Sequence, residues 1–451
     1  MLLQHIVEYV GRSPERNLMW LFDLGRKFAP SPVHRRQIAE LKRAIQLNPA
    51  LKEYVGRVFA ETHPNVIRRL LVNYFVNAIL FGIPRQRQLA SELGVQVPWT
   101  ILIDPTSACN LKCKGCWAGE YFKHDTMSFD LLDRIISEAK EMGIYYIVMS
   151  GGEPLLYPYL FEIAEKHRDV AFMLYTNGTL IDDKIAARMV ELGNISPAIS
   201  IEGDRERTDA RRGAGTFDRI MSAMDSLKRH GAIFGFSITI TSENAYEAFS
   251  DEFIDLMIQK GALYGWSFHY IPIGRDPDLT MMVTPEQRAY LAERVPYIRR
   301  TRPIQVADFW NDGELTGGCI AGGRRYFHIT ARGDVEPCAF VHFAVDNIKD
   351  KSLKDILLSP LFKSYQRHQP VSDNLLRPCP LIDEPRALRE IVNKTGARPT
   401  HPGADGVFDE NVAKALDERA GRWKEVSDPI WEQRVARRQG LQEREGVAAQ
   451  R

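Results

Sequence analysis

Residues 99–105 read "WTILIDP", and residues 107–121 read "SACNLKCKGCWAGEY". A short apolar, β-branched run thus opens at once into a loop holding Cys109, Cys113 and Cys116, three of the chain's six cysteines. Thiols spaced C-x3-C-x2-C suit a zinc clip, a disulfide staple, a redox pair or the cradle of an iron–sulfur cluster. Their position just past a predicted strand narrows the setting. The carboxyl ends of strands in a βα barrel are where such folds assemble their active sites.

Five more runs like "WTILIDP" follow. They are "IYYIVMS" (144–150), "AFMLYT" (171–176), "SPAISI" (196–201), "IFGFSITI" (233–240) and "YGWSFHYIPI" (264–273). Amphipathic stretches of helical period lie between them. One is "SFDLLDRIISEAKEMG", where Ser128 is placed to cap the start and Gly143 to stop the end. Strands alternating with helices predict an α/β fold with a parallel sheet, here a partial (β/α)6 barrel over residues 98–300. Residues 1–97 read as helices punctuated by Pro and Gly, with Ser or Asn before Pro as a helix start. Residues 301–384 form a small α+β extension with the remaining cysteines, and 385–451 a helical, charged tail expected to be solvated or frayed.

Composition bounds the function. Lys plus Arg (59) nearly balances Asp plus Glu (58), so no global field calls for nucleic acid. The opening "MLLQHIVEYVGRSPER" lacks the basic start and cleavage site of a signal peptide. The most apolar run, "LLVNYFVNAILFGI" (70–83), reads as too short to span a bilayer, so no transmembrane segment is expected. A reducing cytoplasm is the expected location, where thiols bind metal or do chemistry. The scattered His5, His34, His63, His124, His269 and His401 lack metal spacing and read as ordinary polar positions.

Three thiolates in one loop suit a cubane cluster that leaves one iron open. With "SGGEP" (150–154) after the second strand, the pattern resembles the radical S-adenosylmethionine (SAM) enzymes. The resemblance implies that Cys109, Cys113 and Cys116 hold a [4Fe–4S] cluster whose fourth iron is chelated by SAM. It implies that Gly151 and Gly152 let the backbone approach the methionine moiety, with Glu153 accepting from its ammonium. In "YTNGTL" (175–180), Thr176 and Asn177 become candidates near SAM. In "SIEGDRERTDARRGAGTF" (200–217), Ser200 and Glu202 would face the ribose and sulfonium, and Arg212 the carboxylate. The family usually has an aromatic residue before the third cysteine. Here Gly115 stands there, and Trp117 is the expected adenine-side wall.

Cys319, Gly333 and Cys338 are spaced as in the opening of the SPASM extension found behind many such barrels. "YFHITARGDVEPCAF" reads as a hairpin turning at Arg332–Gly333–Asp334, which would return Cys338 toward Cys319. With Cys379 there are three thiols, enough for one shortened, twitch-like auxiliary cluster with a fourth ligand from Asp383, His342, His368 or outside the chain. Zinc or a lost cluster stays open for these three.

The resemblance implies reductive cleavage of SAM and hydrogen abstraction from a substrate, with electrons from a flavodoxin or ferredoxin. A peptide or protein side chain leads as substrate, ahead of a small cofactor or lipid precursor. A non-catalytic electron-transfer protein and a zinc-stabilised binding protein are the competing readings. The N-terminal region lacks the strands of a winged-helix peptide-recognition element. Its "NVIRRLLVNYFVNAILF" reads as a core helix, with a greasy cap over a lipid or prenyl-like substrate as the minor reading.

Overall fold

The computed structural model describes residues 14–28 and 32–449. The N-terminal leader reading, His5 and the expected caps Ser13 and Ser31 lie outside the described residues. All six predicted strands form: β1 (Thr100–Ile103), β2 (Tyr146–Met149), β3 (Ala171–Thr176), β4 (Ile195–Ser200), β5 (Gly235–Ile240) and β6 (Tyr264–His269). They pair in chain order and in parallel. Ser128 accepts from the Leu131 N–H and starts the helix Phe129–Glu141 as its sequence suggests.

The 301–384 region extends this sheet at both edges. Strand β7 (Gln305–Asp308) runs parallel to β6, and the hairpin β8 (His328–Ile329) and β9 (Val335–Glu336) joins the other edge, where His328 pairs with Leu102 of β1. The sequence "QVAD" has one β-branched residue in four, too little to announce β7. The hairpin turns where expected. Gly333 has φ +92°, and a Cβ there would sit 2.6 Å from Asn347 Oδ1.

Below the barrel lies a helix longer than its sequence suggests. The segment read as a helix from the sequence ends at Phe81, yet the helix runs unbroken over Pro64–Leu93 with π-type bonding across Leu71–Gly82. Pro84 falls in the first turn of the α-helical part Ile83–Leu93, where a missing N–H costs little. At 30 residues it is, among the described residues, the one helix long and apolar enough to cross a membrane. One face is anchored to the barrel. Asn73 donates to the carbonyls of Arg168 and Val170, Asn77 to that of Asp169, and Gly82 lies flush against Gly143. The core-helix reading holds for that face alone, because Phe75, Ile79, Leu80 and Phe81 on the other are exposed.

The charged tail is not free either. It forms one helix, Glu410–Ala449, whose Trp423 is buried, donates to the Leu376 carbonyl at 3.1 Å and lies under the Arg288 guanidinium. An apolar ring with a polar handle docks the helix despite its charged surface.

Candidate functional site

The cysteine loop sits at the carboxyl end of β1 and is held by the exit loops of three other strands. From the β2 side, the Gly152 N–H donates to the Thr106 carbonyl at 2.9 Å and the Glu153 N–H to that of Ala108 at 2.8 Å. A Cβ on Gly152 would lie 2.0 Å from the Ala108 carbonyl oxygen, so only glycine permits this approach. From the β4 side, the Lys114 N–H donates to the Arg211 carbonyl, and Arg212 Nη1 comes within 4.0 Å of Cys113 Sγ. From the β6 side, the Arg275 N–H donates to the Cys116 carbonyl, and its guanidinium to those of Cys113 and Gly119.

All three thiols are free. Burial pushes the Cys109 and Cys116 thiols up, and neighbouring thiols add to the effect. Such groups become thiolates when a cation joins them. Arg212 supplies part of that charge. Burial works against its guanidinium, but Glu202 and Cys113 more than offset it and raise its pKa.

A cavity of about 650 Å³ opens directly onto these thiols. Trp117, Gly151, Gly152, Thr176, Asn177, Ser200 and Arg212 all line it, together with Cys109, Cys113 and Cys116. Glu153 and Glu202 lie behind the lining instead. Glu153 is fully buried and already accepts from Thr176 Oγ1 (2.6 Å) and the Leu155 and Asn177 N–H groups. Burial raises its pKa, partly countered by those donors. Through these bonds it holds Thr176 and Asn177 in place. Glu202 Oε1 accepts from Arg211 at 2.5 Å and Arg212 Nε at 2.7 Å, while its buried Oε2 has no partner.

Among the lining residues that were not singled out in the sequence are Tyr270 and His269. Tyr270 lies over Gly115, where a Cβ would meet its ring at 2.6 Å, so an aromatic from β6's exit fills the space a bulky residue at 115 would need. Trp117 turns toward His328, Phe340 and His342. His269, which lacked any metal spacing, lines the cavity stacked on Trp310, with both ring nitrogens buried and unpartnered. Burial holds its pKa well below the usual value. The signal for Tyr270 is the glycine itself, since a small residue at a crowded turn means a neighbour occupies its space.

Beside β1, His328 stands between two buried carboxylates, 2.7 Å from Glu336 and 2.9 Å from Asp104. The Asp104 approach is off-axis, a charge contact rather than an aligned hydrogen bond. Tyr121 and Thr400 also donate to Glu336. This network ties the hairpin, and with it the second set of thiols, to the cysteine loop.

Cys319, Cys338 and Cys379 gather around Tyr365, which feels all three. Burial pushes the Cys319 thiol up to about 11 and Cys338 to about 12. Tyr326 Oη lies 2.8 Å from Cys338 Sγ. Of the suggested fourth ligands, Asp383 is nearest in effect, acting on Cys319 and Cys379. Its oxygens are engaged by Arg288 and the Cys379 N–H. His342 bonds His401 and the Ala339 carbonyl, and His368 bonds the Ser364 carbonyl. Among the described residues, no three His, Cys, Asp or Glu side chains converge as a site for one metal ion. A single zinc needs donors about 2.3 Å from one centre. The corners of a cubane, by contrast, keep thiolates apart, and both thiol sets supply the soft donors such a cluster takes.

Comparison with known proteins bears on both sets. The radical SAM superfamily model matches residues 103–248, and SPASM, an iron–sulfur cluster-binding domain, matches 319–380. Mycofactocin maturase MftC of Mycobacterium tuberculosis is 30% identical over 278 residues, spanning 57% of this chain and 69% of the maturase. An AdoMet-dependent heme synthase of Oleidesulfovibrio alaskensis is 27% identical over 307 residues, 61% of this chain and 77% of the synthase. Among solved structures, Streptococcus suis SuiB bound to its precursor peptide SuiA shares the fold at TM-score 0.55. Its identity is 18%, over 65% of this chain and 74% of SuiB.

Proposed function

Because this chain belongs to the radical SAM superfamily and carries a SPASM iron–sulfur domain, we propose that it abstracts hydrogen from a large, mainly apolar substrate held inside the barrel. The observation that carries the reading is that one cavity joins the cysteine triad to an aromatic interior. The family's cofactors are a [4Fe–4S] cluster and SAM, and the donor sets here fit them. When bound and reduced, they supply a 5′-deoxyadenosyl radical that removes a hydrogen atom from substrate.

The chain's own residues do the rest. Cys109, Cys113 and Cys116 hold the catalytic cluster, and Cys319, Cys338 and Cys379 an auxiliary one. Arg212 balances thiolate charge and meets the SAM carboxylate, with Glu202 fixing both Arg211 and Arg212 from behind. Gly151, Gly152, Thr176, Asn177 and Ser200 line the cavity beside the thiols and would hold SAM, and Tyr270 or Trp117 would flank its adenine. Aromatic walls such as Tyr175, Trp266 and Phe268 exclude water, which protects a reactive carbon centre from quenching. A flavodoxin or ferredoxin supplies the electron.

A peptide side chain is supported as substrate by MftC being named a maturase and by SuiB's bound precursor peptide. The cavity favours an apolar molecule instead, because no Asp, Glu or Lys lines it. The test is anaerobic. Iron-replete protein is reduced with dithionite, given SAM and assayed for 5′-deoxyadenosine. Nucleoside is expected, and its absence refutes the proposal in favour of a non-catalytic iron–sulfur protein.

A further inference from the structure

The cavity does not end beneath the cysteines. It descends through the barrel past Tyr175, Trp266 and Phe268 to Tyr74 and Trp99 at the amino ends of the strands. Its charged lining is confined to its two ends. Arg211 and Arg212 stand at the top, and Arg325 at the bottom, where its carbonyl accepts from the Trp99 N–H at 3.0 Å. Arg325 is exposed and has no ion-pair partner among the described residues. The middle of the bore therefore offers wide apolar contact and one open cationic mouth.

The mouth connects to the surface without a break. The Tyr74 ring meets those of Trp99 (5.9 Å) and Tyr146 (6.0 Å) inside, and that of Phe75 (5.5 Å) outside. Phe75 begins the exposed ridge of the helix Pro64–Leu93, with Ile79, Leu80 and Phe81, which are 49, 41, 49 and 63% exposed. Large apolar side chains grouped so closely on a surface mark a contact. The charge along the helix itself says with what, although Glu141 and Asp169 lie beside its barrel-facing side. No acidic residue occurs between Glu61 and Glu92, whereas Arg68, Arg69, Arg85 and Arg87 do, and Arg85 and Arg87 are exposed. An apolar ridge flanked by arginines matches the surface of an anionic bilayer. Asn73 and Asn77 pin the opposite face to the barrel, so the ridge stays turned outward.

We propose that this ridge rests on an anionic lipid bilayer and that the bore takes the hydrocarbon chain of a membrane lipid, with the anionic headgroup at Arg325. The inference rests on the radical SAM reading, since the hydrogen atom removed would then come from a methylene of that chain, its C–H bond breaking as the C–H bond of 5′-deoxyadenosine forms and the unpaired electron staying on the chain carbon.

The experiment is flotation of anaerobically reconstituted full-length protein with vesicles of three parts phosphatidylcholine to one part phosphatidylglycerol. Wild-type protein is expected to float with these and not with pure phosphatidylcholine. The double variant Ile79→Ser, Phe81→Ser should lose at least about tenfold in binding, because two large apolar side chains leave the interface. Phosphatidylglycerol brominated in its acyl chains should quench tryptophan fluorescence. Trp266→Phe should reduce that quenching, because Trp266 lies inside the bore, and Arg325→Gln should weaken it while flotation persists. Production of 5′-deoxyadenosine without flotation overturns this inference and leaves the radical SAM reading standing. So does a ridge-dependent dimer that ignores vesicles, or flotation insensitive to the double variant. Absence of nucleoside from iron-replete protein strikes the underlying reading instead.

Discussion

Replacing Gly152 with alanine perturbs the point where the β2 exit loop clasps the cysteine loop. The new Cβ would sit 2.0 Å from the Ala108 carbonyl oxygen and 2.5 Å from that of Ser107. Both obstacles are backbone, so no side chain can swing aside. Ordinary contact begins near 3.4 Å, so the two strands of chain must part by about 1.4 Å. That shift breaks the Gly152–Thr106 and Glu153–Ala108 hydrogen bonds, now 2.9 and 2.8 Å. Two such bonds contribute about 1–3 kcal/mol, and forcing an atom into a packed site costs about 1–3 kcal/mol more. The expected loss is about 2–6 kcal/mol, a large share of the roughly 5–15 kcal/mol that holds a domain. Ala108 immediately precedes Cys109, so the displacement should also lower iron uptake. The assay is the urea unfolding midpoint of apo-protein together with iron content after reconstitution. Gly94→Ala is the control. It carries φ +66° but has nothing within 4 Å, so only backbone strain of about 1 kcal/mol applies. A Gly152→Ala protein with full iron and stability within about 1 kcal/mol of wild type would refute this reasoning.

Three further outcomes are expected. Burial alone would lower the His328 pKa, but Asp104 and Glu336 lift it to about 10 from an unfolded value of 6.5. A raised histidine contributes its full stability below pH 6.5 and loses it as pH climbs through 10, so wild-type stability should fall across that window. His328→Gln should flatten the fall and be less stable by about 3 kcal/mol at pH 6, measured by urea midpoints. Glu202→Gln removes the charge shared by Arg211 and Arg212, and SAM should bind about tenfold more weakly by equilibrium dialysis with iron retained. Unchanged affinity would remove Glu202 from the site. Cys379→Ala should lower iron by about four atoms per chain. Iron content equal to wild type would show that these three thiols hold no cluster.

Much of the barrel was legible because each of its strands is an apolar run bounded by a polar turn. A parallel strand buried on both faces leaves that signature in the residues themselves. The cysteine triad and Gly151–Gly152 were legible for a similar reason. Their chemistry depends on spacing within one loop, and spacing along a chain is sequence information. Strand β7 escaped because four residues with one β-branched member carry no pattern, and it exists only because β6 offers an unpaired edge. The helix end at Leu93 escaped because Pro84 is a stop signal whose force depends on its place in the turn.

Other features belong to no stretch of sequence. Glu153 stands beside two glycines in the sequence, but that its oxygens accept from Thr176 and Asn177 depends on the adjacent strand bringing those groups to it. Tyr270 covers Gly115 across 155 positions, and His269 looks ordinary until Trp310 stacks on it and burial removes its partners. The sequence alone determined the class of chemistry, since three thiols, two glycines and six strand–helix units are each local patterns. Only the tertiary structure decided what shares a cavity with that chemistry and which helix face stays open. The bore from the cysteines to Tyr74, and the ridge beyond it, arise from packing between segments far apart in the chain. Contacts of that kind are set by closing the barrel, and no local residue pattern encodes them.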